Sequence, residues 1–159
     1  WANESIYFGL RCEKTPGEPV TSDVTRNDAP AIFQEDSIEI LIETDAHSYY
    51  QIALNPRGAV VDLDRGASSR HWFRWNSKAK IASYIGDDYW TLEVRLPIAQ
   101  QSDDPLHLVV GEKPTEDSPW HVNVCRQEID DGDKKRSAFS PTGEAGFHNI
   151  MKFATFYVK

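Results

Sequence analysis

Apolar and polar residues alternate along much of this chain with a period of two, which turns one face of a strand inward and leaves the other to solvent. Ile6, Phe8, Leu10 and Cys12 interleave with Tyr7, Gly9 and Arg11. In Ser37–Glu43 the isoleucines at 38, 40 and 42 share one face, while Glu39, Leu41 and Glu43 share the other. Residues 49–54 and 59–63 flank Asn55-Pro56-Arg57-Gly58. Its Pro at the second place and Gly at the fourth suit a type I turn, so the pair reads as a hairpin. A second hairpin is expected from Lys80–Ile85 through Gly86-Asp87-Asp88 into residues 89–96, where Trp90, Leu92, Val94 and Leu96 point one way. Pro97 is expected to end that strand by removing a ladder donor. Further strands are expected at 106–110, 120–127 and 153–158.

Residues 13–31 form a polar stretch with Pro16, Gly17, Pro19 and Pro30, long for a connection within a compact domain and of a length that is often functional. There is no helical stripe longer than two turns and no internal repeat. Short strands joined by turn-rich loops predict an all-β fold, an antiparallel β-sandwich or open barrel.

Length and charge narrow the function classes. A chain of 159 residues fits one domain, read here as 1–159. With 17 basic against 25 acidic residues the net charge is −8, which argues against a nucleic-acid partner, since binding a phosphate backbone needs a basic face. No run approaches the ~18 apolar residues of a membrane span, and no signal segment opens the chain. Residue 1 is Trp and the strand pattern begins almost at once, so the chain reads as a domain lacking an N-terminal segment. Cys12 and Cys125 belong to no C-x-x-C pair and leave both a disulfide and two free thiols open.

Catalysis is not indicated. Glu39 and Glu43 share a face but lie four residues apart, roughly 13 Å along a strand, wider than the about 5–9.5 Å of glycosidase carboxylates. There is no nucleophile elbow, zinc-protease motif or P-loop, and His47, His71, His107, His121 and His148 show no shared ligand spacing. Asp130-Asp131-Gly132-Asp133 and Asp62-Leu63-Asp64 carry oxygens that a structural calcium could use, although neither matches an EF-hand. The other notable feature is aromatic. Arg70-His71-Trp72-Phe73-Arg74-Trp75 is the densest patch, and Phe139 and Phe147-His148 follow Arg136. Sugars present C–H patches on their ring faces and hydroxyls at their rims, so a sugar site wants a flat aromatic surface beside planar polar side chains.

The order of motifs is more specific than any one of them. Ile6-Tyr7-Phe8-Gly9-Leu10-Arg11-Cys12, Glu35-Asp36-Ser37-Ile38-Glu39, Tyr50-Gln51-Ile52-Ala53-Leu54-Asn55-Pro56-Arg57-Gly58, Trp90-Thr91-Leu92-Glu93-Val94-Arg95-Leu96-Pro97, Asn123-Val124-Cys125-Arg126-Gln127 and Phe147-His148 occur in sequence. This set resembles the family 9 carbohydrate-binding modules and their relatives in the DOMON-like β-sandwich group. The resemblance implies a non-catalytic sugar-binding module, secreted or periplasmic, acting with a linked polysaccharide-degrading catalytic domain. Carried over by position, the two sugar-sandwiching aromatics fall at Phe33 and Phe147, and the motif Glu at Glu39. The family's Arg and amide positions fall on Ala53 and Cys125, so Arg126, Glu144, Arg136 and His148 are expected as substitutes. Phe139 and Trp72 complete the candidate ligand-binding set, and Trp75, Trp90 and Trp120 are assigned to packing.

Two alternatives belong to other classes. Some DOMON-like domains hold haem between a Met and a His or Lys. Here Met151 would need His47, His71, His107 or His121 opposite it, since His148 and Lys152 are too local. A degenerate module that only packs on a partner domain is the other.

Overall fold

The computed structural model describes residues 1–100 and 108–159. The fold is a β-sandwich of two mainly antiparallel sheets. In the smaller, β1 (Ser5–Glu13) and β5 (Lys80–Ile85) flank the long β6 (Tyr89–Ala99), and the short β7 (Val109–Val110) joins the end of β6 in parallel. In the larger, β4 (Val60–Asp64), β3 (Tyr50–Leu54), β2 (Ser37–Glu43) and β8 (Trp120–Asp130) lie side by side. The far edge of β8 is shared by β9 (Asp133–Ala138) and β10 (Ala154–Phe156).

The alternating pattern explains the core. Ile38, Ile40 and Ile42 of β2 turn inward into one cluster with Trp90, Leu92, Val94 and Leu96 of β6 and Ile6 and Cys12 of β1. Burying each large apolar side chain contributes about 1.5–3 kcal/mol. Trp75, Trp90 and Trp120 are all buried here, and Trp75 stacks on Tyr50 with ring centroids 4.6 Å apart. The β3–β4 hairpin turns at Asn55–Gly58, where Gly58 donates its N–H to the Asn55 carbonyl at 3.0 Å with φ +80°.

One expectation is corrected, one strand is added and one open question is decided. β6 runs through Pro97 to Ala99. The neighbouring Ile98 N–H points to the β1 side, where it donates to the Glu4 carbonyl, so the Pro97 nitrogen faces the other side, past the point where β5 begins opposite Arg95. The missing donor costs no ladder bond there. Second, β9 has no apolar alternation and was not expected from the sequence pattern. Asp131 and Gly132 both take positive φ, +51° and +84°, as a two-residue hairpin turn demands. Asp130-Asp131-Gly132-Asp133 is thus a turn, and its Asp130 pairs with Lys135. The other acidic motif is also committed to protein donors. Asp62 accepts from the Ser77 N–H and hydroxyl, and Asp64 from His47, Gly66 and Ala67. Among the described residues no three His, Cys, Asp or Glu side chains gather as a cation site. Third, Cys12 and Cys125 are free thiols in different clusters, the first inside the sandwich and the second on the outer side of the larger sheet. Of the expected strand at 106–110, Leu106 lies outside the described residues, as does His107.

The polar stretch after β1 is fastened by the acidic pair that precedes β2. Glu35 accepts from the N–H groups of Asp23 and Val24 and from Asn55, while Asp36 accepts from the N–H groups of Thr21 and Ile129. Both carboxylates are buried, so these bonds decide where the loop lies.

Candidate functional site

The outer face of the larger sheet carries a hollow of about 440 Å³. Its floor follows from strand register. Glu39 sits on β2 opposite Ala53 of β3 on one side and Cys125 of β8 on the other, so two small side chains leave space above the carboxylate. Two residues further along each neighbouring strand, on the same face, stand Gln51 and Gln127.

Three separate segments wall this floor. The one-turn 3₁₀ segment Pro30–Gln34 buries Ile32 and presents half-buried Phe33. A second 3₁₀ turn, Trp72–Arg74, presents Trp72 and the exposed Phe73. The return segment between β9 and β10 brings Phe147 and His148, and Asn123 anchors it by bonding the Ser140 backbone at both N–H and carbonyl. Outward-facing Lys134 and Arg136 of β9, with Arg65 just past β4, complete the rim.

A hydrogen-bond chain fixes the polar groups. Arg65 Nε donates to Gln51 Oε1 at 2.6 Å, and Gln51 Nε2 donates to Glu39 Oε2 at 2.6 Å. The Arg65 guanidinium also lies 4.1 Å from the centre of the Trp72 ring, whose indole N–H donates to the Ala67 carbonyl. Gln127 donates to the Phe33 and Glu35 carbonyls, and Arg136 donates to the Ala145 carbonyl. Burial raises the Glu39 carboxyl above its ordinary range, an effect opposed by the Gln51 bond and by Arg65 and Arg136. Burial, assisted by Arg65, holds His148 below the ordinary imidazole value. The Cys125 thiol, buried and beside Glu39, is pushed up to about 12, which makes it inert as a nucleophile.

Phe33, Glu39, Trp72, Phe147 and His148 of the candidate set therefore meet in one hollow. Phe147 differs from expectation in its exposure. At 6% exposed, it packs with Leu41, Cys125 and Phe153, so it is a buried wall and no open ring face. Arg126 does not reach the hollow. Adjacent strand residues point to opposite faces, and its guanidinium turns to the Glu13 carbonyl and Glu128. Phe139 stands 77% exposed outside the hollow. Glu144 also lies outside, accepting from Asn149 within its own loop. The residues missed were Gln51, Gln127, Arg65 and Lys134. The period of two could have found the first two, one step of two from Ala53 and from Cys125. Met151, on which the haem alternative depends, is 90% exposed and lines neither this hollow nor the one on the opposite sheet.

No protein-family model matches the sequence, and no curated protein matches it. Solved structures do match in shape. A candidate carbohydrate-binding protein from Bacteroides uniformis superposes with a TM-score of 0.68 at 16% identity, covering 96% of this chain and 72% of that one. A family 9 carbohydrate-binding module from Caldicellulosiruptor kristjanssonii, solved in complex with glucose, superposes at 0.64 and 12% identity, covering 100% and 73%. The fold of this chain is that of the family 9 modules.

Proposed function

We propose that this chain is a non-catalytic carbohydrate-binding module whose ligand sits in the hollow over Glu39. The observation that carries this reading is the convergence, in one concave site, of half-buried Phe33 and Trp72 with Glu39, Gln51, Arg65 and Gln127. Aromatic surface suits the apolar C–H patches of a sugar, and bonded amide and guanidinium groups suit its hydroxyls. The likeness in fold to a module solved with glucose supports the same reading.

The acid inventory of the site supports binding without hydrolysis. Glu39 is the single carboxylate among the residues lining the hollow, whereas glycoside hydrolysis by the common mechanisms needs two. We place the module outside the cytoplasm, next to a polysaccharide-degrading catalytic domain, on the strength of its family resemblance. Among the described residues no helix is long and apolar enough to cross a membrane. A glycan array followed by calorimetry tests the reading. A saccharide bound by the wild type and lost or weakened in Phe33→Ala supports it, while an affinity unmoved by that change, or a silent array, overturns it.

A further inference from the structure

The charge of the hollow is opposite to that of the molecule. The chain carries −8, yet the charged residues lining the site are Arg65, Lys134 and Arg136 against Glu39 alone. With His148 held towards its neutral form, the site carries an excess of at least two positive charges. These cations are positioned without being neutralised. Arg65 is held by Gln51, by the His148 ring at 3.3 Å and by the face of Trp72. Arg136 is held by the Ala145 carbonyl at 2.9 Å and Gln127 at 3.4 Å. Lys134 donates to the Phe33 carbonyl at 2.9 Å and to Gln34 at 2.6 Å. Every one of these partners is uncharged. Among the described residues Arg11, Arg126 and Lys135 each take a carboxylate partner, while Lys14, Arg57 and Arg95, like the three at the hollow, bond neutral groups. What sets the three apart is that they share one concavity.

Gathering three like charges in a concavity raises its potential and is unfavourable until an anion enters. Neutral acceptors fix the two guanidinium groups while leaving their charge available, and a guanidinium fork matches a carboxylate in geometry. A neutral sugar needs none of this. We propose that the saccharide taken by this hollow is acidic, a uronic-acid glycan whose carboxylate is met by Arg65, Arg136 and Lys134 while Glu39 and the amides take hydroxyls. The proposal rests on the saccharide reading above and narrows it.

The test compares short galacturonic-acid oligomers with their methyl esters, which keep the hydroxyls and lose the charge, and with a sulfated neutral oligosaccharide. The free acid is expected to bind at least about tenfold more tightly than the ester, as charge-assisted bonds require. That preference should shrink at about 1 M salt, where the screening length is about 3 Å. It should also shrink in Arg65→Gln and in Lys134→Gln, the latter an exposed side chain whose loss leaves the fold intact by its melting temperature. Equal binding of acid and ester, abolished by Phe33→Ala, overturns the acidic specificity and leaves the saccharide reading standing. Binding of the sulfated sugar alone overturns the carboxylate assignment. If no saccharide of either charge binds, both readings fall together.

Discussion

The two outer faces of the sandwich offer hollows of nearly the same size and different construction. That on the larger sheet has about 440 Å³, and that on the smaller sheet about 430 Å³. The smaller-sheet hollow is a plain patch of three neighbouring strands, with Tyr7, Arg95 and Lys80 in one row and Gly9, Glu93 and Ala82 in the next. Its space exists because Gly9 and Ala82 are small, and its charges are mixed. Its described lining residues all belong to β1, β5 and β6. The larger-sheet hollow draws its walls from three segments far apart in sequence, and its polar groups are bonded to one another before any ligand arrives. Volume alone does not distinguish the two. What does is preorganisation, because a group already held in place loses little freedom on binding.

The comparison can be broken at several points. The largest effect is expected from Phe147→Ala, which empties a buried wall shared with Leu41, Cys125 and Phe153 and should cost about 3–5 kcal/mol of stability by chemical denaturation. A loss under about 1 kcal/mol would mean that this wall is not packed as described. Phe33→Ala comes next. It should weaken saccharide binding by about 0.5–1.5 kcal/mol beyond the lost contact area, as calorimetry reads it. Because Phe33 is only half-buried, its melting temperature should fall less than that of Phe147→Ala.

Glu39→Gln sharpens the electrostatic side. With its carboxyl raised by burial, folded protein keeps the Glu39 proton at pH values where the unfolded chain has lost it. Stability contributed at this position is therefore present at acid pH and declines as pH climbs from the ordinary carboxylate range through the raised value. The variant should gain stability relative to wild type at neutral pH and show no gain in acid, in melting curves taken across that window. An identical pH profile for the two proteins would refute the burial effect. The smallest effect is expected on the opposite sheet, where Tyr7→Ala, half-exposed on β1, should leave saccharide affinity unchanged and move stability by about 0.5 kcal/mol or less. A lost affinity there would shift the binding face to the smaller sheet.

Much of this arrangement was legible in the chain because a strand prints its faces in a period of two. Ile38, Ile40 and Ile42 face the core, and Glu39 faces the hollow as its motif implies. The same rule, applied to Arg126, would have excluded it in favour of Gln127. β9 escaped because its residues 133–136 are all charged, and its presence depends on the Asp131-Gly132 turn and on pairing with β8. The exposure of Phe147 was hidden for a different reason, since an aromatic residue in a loop carries no sign of what that loop covers.

The strands other than β9, most of their turns and the alternation of faces along them were set by the chain alone, since these depend on neighbours two to four residues away. Which side chains share the hollow was decided only by tertiary structure. Arg65 lies just past β4 and Lys134 and Arg136 lie on β9, and it is strand register, with loops pinned by Glu35, Asp36 and Asn123, that gathers them around Glu39. Charge in a concavity depends on separation in space, and distance along the chain leaves that separation undetermined.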